Sequence, residues 1–354
     1  MIESLTSSAG MAGAGLLAVL TALASWIATR WVTRYLDRRE MLDHPNERSS
    51  HSSPTPRGGG LAILAIALPL VGVIHWLHLP GVMIIPVFMG LAAGLALLSW
   101  IDDLNGLPVV LRLVAHLLAA AVMMTLMPTN LFVFQGLLPL WLDRAVAVLV
   151  WVWFINLYNF MDGIDGLAGA ETIAVCIGLF TIVLIVGGPV GPGAVALAQS
   201  TLVIAAAAAG FLVLNWHPAR VFMGDVGAIT LGYVLGWFLL TLATWGYWVA
   251  ALILPAYFLA DASITITRRM LSGEPIWRPH AKHCYQRAVQ RGMSHVRVVR
   301  FVSGGNCCLM VLAITSTQVT NWWGDMLCLT GAATIVAWML FWLTRAKPGT
   351  NGLA

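Results

Sequence analysis

The stretch NLYNFMDGIDGLAG, Asn156 to Gly169, sets two Asn, two Asp and three Gly between two long apolar runs. Asn156, Asn159 and Asp162 recur every three residues, which puts them on one helix face. With Asp165 they bring together four oxygen-bearing side chains, more than a plain polar turn needs. Asp102 and Asp103 stand side by side in SWIDDLNGLP, where another apolar run ends. One Asp there would be an ordinary solvated residue. Two adjacent carboxylates repel, so the pair requires a cation, a shared proton or a basic partner. Asp225 lies in NWHPARVFMGDVGAITLG, between Gly224 and Gly227. It reads as a helix N-cap or, with Asn215, His217 and Arg220 nearby, as part of a site.

Two further stretches are basic. RRMLSGEPIWRPHAKHCYQRAVQRGMSH, Arg268 to His295, has a tight core of Arg278, His280, Lys282, His283 and Arg287. Arginine forks suit phosphate oxygens. The His280–His283 pair lacks a third soft ligand for zinc, so it reads as phosphate contact or acid–base work. LDHPNERSSHSSPTPRGGGLAI ends with Arg57 and three glycines at the start of an apolar run. Backbone N–H groups at such a helix start can meet phosphate oxygens. Carboxylates and amide oxygens together suit a hard cation such as Mg²⁺, which fills its shell with substrate phosphates and water. Positioning and electrostatics of this kind are what phosphoryl transfer requires.

The elements that must position these residues are set by composition. The chain has 354 residues, 59% hydrophobic and 10% charged, against about 25% charged in soluble proteins. Apolar runs of ~18 residues or more recur, each long enough to cross a ~30 Å hydrocarbon core. A β-barrel would show short alternating segments instead. No polar stretch reaches domain size, so residues 1–354 read as a single integral-membrane domain. The expected fold is all-α, a polytopic membrane bundle of roughly 10–11 transmembrane helices. Spans are expected near 9–31, 59–79, 82–101, 109–127, 138–157, 167–187, 194–214, 227–245, 247–267, 297–317 and 325–344. Positive charges follow the first apolar run rather than precede it, as in a retained span. The five Cys show no paired or zinc spacing.

With the N-terminus outside, the inner loops and adjoining helix ends hold every Lys and Arg of the 19 except Arg144, as the positive-inside rule expects. All five reactive stretches then share the cytosolic face, and a reactive face at a bilayer surface implies a lipid substrate. The basic residues sit between spans, which gives no nucleic-acid signal. A transporter or flippase is the alternative. It would need ionisable groups near the midplane, where His116 stands alone and reads as a satisfied core histidine.

The motifs TPRGGG, IDD, NLYNFMDGIDGLAG, FMGDVGAITLG and RPHAKHCYQR, in this order, resemble the polyprenyl-phosphate N-acetylhexosamine-1-phosphate transferases. That family includes the pentapeptide transferase of peptidoglycan synthesis and the enzymes that initiate O-antigen. The resemblance covers nearly the whole chain. It implies a multi-pass protein of the bacterial inner membrane. Polyprenyl phosphate, here undecaprenyl phosphate, attacks a UDP-N-acetylhexosamine, UMP leaves and a lipid-linked sugar starts a surface glycan. It implies that Asp225, helped by Asn159, binds Mg²⁺, with Mn²⁺ as an alternative. Asp102 and Asp103 would organise or deprotonate the lipid phosphate. Asn156, Asp162 and Asp165 would line the nucleotide-sugar pocket, and Arg278, His280, His283 and Arg287 would hold sugar and diphosphate. A homodimer is left open. Asn105 and His51–Ser52–Ser53 stand where pentapeptide transferases often carry Lys, and HAKHCYQR replaces their three-His cluster. This form is closer to the O-antigen-initiating branch, whose sugars include N-acetylglucosamine, N-acetylgalactosamine and 6-deoxy derivatives.

Overall fold

The computed structural model describes residues 8–45, 53–186, 191–277, 280–319 and 321–345. Arg278 lies outside them. The helices are α1 (Ser8–Arg38), α2 (Gly60–His78), α3 (Ile84–Asn105), α4 (Val109–Leu126), α5 (Leu140–Phe160), α6 (Leu167–Val186), α7 (Pro192–Asn215), α8 (Gly224–Thr244), α9 (Trp248–Ile253), α10 (Ala256–Leu271), α11 (Cys284–Gln290), α12 (His295–Ser316) and α13 (Trp322–Arg345). Between α1 and α2, strands β1 (Leu42–Asp43) and β2 (Thr55–Pro56) pair antiparallel. Among the described residues, ten helices are long and apolar enough to cross a membrane: α1 to α8, α12 and α13. The protein is a multi-pass membrane bundle, as its composition requires.

Two elements depart from expectation. The segment 247–267 was expected as one span. The structure divides it into α9 and α10 at Leu254–Pro255, because proline has no N–H to donate and its ring clashes with the preceding turn. Helix α1 continues through Arg38, well past residue 31. Arg34 and Arg38 occur on this extension, where their stems can lie along apolar surface while the charged heads reach water.

Helix α8 is the axis of the bundle. Almost all of its residues are buried, and α2, α3, α5, α6 and α9 pack around it. Gly232 and Gly236, one turn apart, let α5 approach closely. A Cβ on Gly232 would meet the Ile155 Cα at 3.1 Å, and one on Gly236 would collide with the Trp151 ring. The space is used by a stack in which Tyr233 lies between Trp151 (4.8 Å) and Phe88 (5.2 Å). Such offset ring pairs add about 0.5–1.5 kcal/mol beyond area burial. The outer helices leave large side chains such as Trp31, Val110, Trp141 and Leu327 exposed, as a lipid-facing surface does. The first residues of α8 are thereby held rigidly at one end of the bundle.

Candidate active site

The two glycine-rich stretches find each other first. Arg57 bridges in parallel to Phe222. Gly58 N and Gly59 N both donate to the Phe222 carbonyl, Gly60 N donates to Met223 O, and Phe222 N donates to Pro56 O. A Cβ on Gly60 would strike the Gly227 backbone. The expectation that these glycine N–H groups meet phosphate is therefore corrected. They are spent on docking the start of α2 against the start of α8, and glycine is required because the two backbones nearly touch. This docking brings Arg57 beside Asp225.

The carboxylates assemble around that junction. Asp103, at the end of α3, accepts from Asp225 N (3.2 Å) and Val226 N (3.1 Å). It thus caps α8 from another helix, and Asp225 sits inside the first turn rather than at the cap. Gly224 has φ +76°, and a Cβ there would lie 2.8 Å from Asp103 Oδ2. Arg57 spans two carboxylates, with Nε 3.0 Å from Asp103 and Nη2 2.6 Å from Asp225. Arg112, in the first turn of α4, spans two as well: Nη1 lies 2.6 Å from Asp102 and 3.3 Å from Asp225. Asp102 also accepts from Leu107 N at 2.5 Å. Of the three ways to keep Asp102 beside Asp103, the structure uses a basic partner, one arginine for each. The acidic neighbours raise the already high pKa of Arg57 further, against the opposing effect of burial.

Asp162 completes the cluster. It follows α5 and is partly buried. Burial pushes its carboxyl well above the usual range; Arg57 opposes this, while Asp225, Asp103 and Asp165 add to it. Asn159 is likewise partly buried. Asn156 turns its amide back along α5 to Val152 O (2.7 Å), and its neighbour on α4 is His116. His116 was expected to be a satisfied core histidine. It is buried, but neither ring nitrogen has a hydrogen-bond partner. Arg112 and Asp102 lie close enough to bear on its charge, so it underlies the cluster.

The basic motif docks beside these residues through Asp261 of α10. Asp261 accepts from Cys284 N (2.9 Å), Tyr285 N (3.4 Å), Tyr257 Oη (3.1 Å) and Thr265 Oγ1 (3.2 Å). It also faces His283 Nδ1 at 3.4 Å. Tyr285 Oη donates to Phe160 O at 2.9 Å, tying α11 to the end of α5. Gly163 leaves the room for this: any Cβ there would collide with Tyr285 and Gln286. His280 stacks on His283 at 5.0 Å. Burial, followed by the nearby charges of His283, Arg269 and Lys282, lowers its pKa to about 4. It is neutral at neutral pH. Arg287 lines a small polar recess with Arg268, Arg269, Lys282 and Glu274.

Asp165 belongs to a neighbouring group. Its Oδ2 lies 2.6 Å from His217 Nδ1 and 3.3 Å from His295 Nδ1, and accepts from Ala219 N at 3.1 Å. Burial pushes this carboxyl up, but the bonds from His295, His217 and Ala219 outweigh it and hold the pKa below the usual range. Asn215 links the same loops, accepting from Gly166 N and donating to Val221 O.

The structure thus gathers Arg57, Asp102, Asp103, Asp162 and Asp225 at one end of the bundle. Asn156 and Asn159 lie on the last turns of α5 leading to Asp162, His280, His283 and Arg287 stand on the segment that Asp261 and Tyr285 dock to α10 and α5, and Asp165 turns towards two histidines. Sequence reasoning missed Arg112 and Asp261. Arg112 had a signal: the Asn105–Gly106 turn after the Asp pair returns the chain, so the next helix starts beside Asp102. The oxygen-rich set at Asp225, Asn159 and Asp162 has the chemistry of a Mg²⁺ site. Asp165, His217 and His295 form a second set of metal-ligating types, one ligand atom of each within 4.8 Å of the others.

The chain is similar to known proteins. The model of the family described as glycosyl transferase family 4 matches residues 85–243. A decaprenyl-phosphate N-acetylglucosaminephosphotransferase of Mycolicibacterium smegmatis is 30% identical over 330 residues, covering 81% of this chain and 78% of that protein. A Bacillus subtilis protein named as a probable undecaprenyl-phosphate N-acetylglucosaminyl 1-phosphate transferase is 28% identical over 316 residues, covering 86% and 85%. The Mycobacterium leprae decaprenyl-phosphate N-acetylglucosaminephosphotransferase is 29% identical over 326 residues.

Proposed function

The chain belongs to glycosyl transferase family 4, the polyprenyl-phosphate N-acetylhexosamine-1-phosphate transferases, and from that premise we propose the reaction and the residue roles that follow. The enzyme is a phosphoglycosyl transferase. An oxygen of undecaprenyl phosphate attacks the β-phosphorus of a UDP-N-acetylhexosamine. The new P–O bond forms as the bond to the α-phosphate oxygen breaks, and UMP leaves. The lipid diphosphate sugar stays in the membrane to start a surface glycan. N-acetylglucosamine is the preferred sugar, since the relatives' names specify it. The reactive end faces the cytosol, supported by the placement there of every basic residue but Arg144.

The observation that carries this reading is the group of Asp102, Asp103 and Asp225 threaded by Arg57 and Arg112, with Asp162 beside them. Asp225, Asn159 and Asp162 would hold Mg²⁺, the first two as expected from the sequence. When bound, the ion neutralises phosphate charge and orients the diphosphate. Asp103 positions Asp225 by capping α8. Asp102 holds Arg112 in place. The two guanidinium groups stand where phosphate oxygens must arrive and offer forked donors to them. The attacking oxygen is already largely anionic at neutral pH, since a phosphate monoester has its second pKa near ~6. Positioning therefore contributes more than proton removal. Asn156 and Asp162 face the nucleotide sugar, and Asp165 shapes the same loop through His217 and His295. His280 meets the sugar as a neutral hydrogen-bonding group, with His283 and Arg287 behind it; Arg278 adds to this segment from outside the described residues.

The test is UMP release by purified protein with undecaprenyl phosphate and a panel of UDP-N-acetylhexosamines. Lipid-dependent release that EDTA abolishes and Mg²⁺ restores is expected, fastest with the N-acetylglucosamine donor. Release that ignores EDTA would remove the metal assignment. No release from any donor, by folded protein, would turn the reading towards transport.

A further inference from the structure

Asp165, His217 and His295 come from three segments that the sequence keeps far apart. Asp165 lies between α5 and α6, His217 follows α7, and His295 opens α12. Asp165 and His295 are buried, while His217 is exposed. The two imidazoles stand 4.6 Å apart, centre to centre. Both present Nδ1 to one and the same oxygen, Asp165 Oδ2, at 2.6 Å and 3.3 Å. That oxygen already accepts from Ala219 N.

Proton placement around His295 is inconsistent. Its Nδ1 lies 3.4 Å from Asp165 N, where only a lone pair can accept, and 3.3 Å from Asp165 Oδ2, where only a proton can donate. A ring nitrogen has one or the other. A deprotonated Nδ1 sets its lone pair against a carboxylate oxygen; a protonated one opposes the backbone N–H. A cation shared by Oδ2 and the two ring nitrogens resolves the carboxylate half of this conflict, because those lone pairs then face positive charge, and it leaves the Asp165 N–H without that acceptor.

We infer that Asp165, His217 and His295 form a site for a borderline divalent transition metal of the Zn²⁺ type, separate from the oxygen-rich centre at Asp225. The ligand set decides the metal. Two imidazoles and one carboxylate suit Zn²⁺, whereas Mg²⁺ takes oxygen ligands and keeps its waters. Bonds of about 2.0–2.1 Å in a tetrahedral shell put neighbouring ligand atoms about 3.3 Å apart. The His295 separation of 3.3 Å matches that spacing, and the His217 separation of 2.6 Å is shorter and would lengthen by rotation of the exposed His217 ring. Three protein ligands leave a fourth position, which the exposed side of His217 opens to water or a ligand oxygen. The bound ion clamps the loop after α5, the turn after α7 and the start of α12.

The test is Zn²⁺ counting by equilibrium dialysis of the full-length protein in detergent, with excess Mg²⁺ throughout. Cys307 and Cys308 are exposed thiols, so the background carries Cys307→Ser and Cys308→Ser. One Zn²⁺ per chain is expected in that background. Co²⁺ in its place should show the visible absorption of a four-coordinate nitrogen and oxygen site. His217→Gln, at an exposed position that tolerates the change, should weaken binding about tenfold or more, since the loss of an outer partner alone costs 10–100-fold. His280→Gln should leave Zn²⁺ binding unchanged. Less than a tenth of an equivalent bound in the background, or equal binding in His217→Gln, would overturn the proposal and leave the three residues as a hydrogen-bonded hub.

Discussion

The two ends of the bundle treat charge in opposite ways. At the end that carries no motifs, Asp143 is fully buried and gives its two oxygens to Val133 N (3.1 Å) and Phe134 N (2.9 Å). Its neighbour Arg144 donates to the Pro128 and Leu131 carbonyls. Both charges are consumed by the backbone of one loop. At the motif end, Asp225 is held by Arg57 and Arg112, and each arginine shares itself with a second carboxylate, Asp103 or Asp102, which also accepts from backbone N–H groups. Backbone partners fix a fold permanently. Side-chain ion pairs can be exchanged for phosphate or metal without unfolding anything. A charge that holds a loop is thus distinguished from a charge that awaits a substrate by its partner, since burial is similar in both.

The largest test of that contrast pairs Asp225→Ala with Asp143→Ala. Asp225→Ala should lower the rate of UMP release by about a thousandfold or more, the scale of losing a key electrostatic group, while the melting temperature moves little. Asp143→Ala should reverse the pattern. Two buried N–H groups lose their acceptor, costing about 1–3 kcal/mol of stability, and kcat stays as it was. Equal loss of activity in both variants would remove the distinction between the ends.

Arg112→Lys comes next. It keeps the charge, but a compact ammonium replaces the guanidinium whose Nη1 reaches both Asp102 and Asp225, and the other planar donors that would meet phosphate are lost. A fall in kcat of about a hundredfold is expected, with intact folding. Arg144→Lys, where the partners are carbonyls, should leave kcat unchanged. Asp261→Asn is smaller. One oxygen still caps α11, but the charge opposite His283 is gone. KM for the nucleotide sugar should rise about tenfold while kcat falls less, as expected when a binding segment loosens. A matched drop in kcat would place His283 in the chemical step instead.

How much of this was legible in the sequence varies with the range of the contacts. The helices were, because run length and apolarity are local properties; even the break at Pro255 had a local cause. The acidic residues were legible because two adjacent Asp, or Asp beside three Gly, have no cheap place in a membrane protein. Arg112 was legible only through the turn that returns the chain beside Asp102, a signal easily passed over because an arginine at the end of a span can be read from the positive-inside rule alone. Asp261 was not, because its role depends on α11 folding back across 23 residues to offer Cys284 N. The glycines of TPRGGG were misjudged for the same reason: their partner segment, Phe222 and Met223, lies far along the chain, and nothing local distinguishes a glycine that meets phosphate from one that meets another backbone.

The finest test concerns Asp162, which has the charge environment of the motif end but makes no ion pair with an arginine among the described residues. Its carboxyl is raised well above the usual range, chiefly by burial. A carboxyl raised on folding binds a proton in the folded chain at pH values where the unfolded chain has lost it. Stability therefore falls as pH rises, from the ordinary Asp value of about 3.9 up to the raised folded value, and is flat beyond it. In EDTA, the melting temperature of the protein should drop more steeply between about pH 5 and 7 than that of Asp162→Asn, by about 1–3 °C. Mg²⁺ should shrink the difference, because a bound cation favours the ionised carboxylate. Parallel curves with and without Mg²⁺ would mean that Asp162 is ionised at no cost, and the metal would then be left to Asp225 and Asn159.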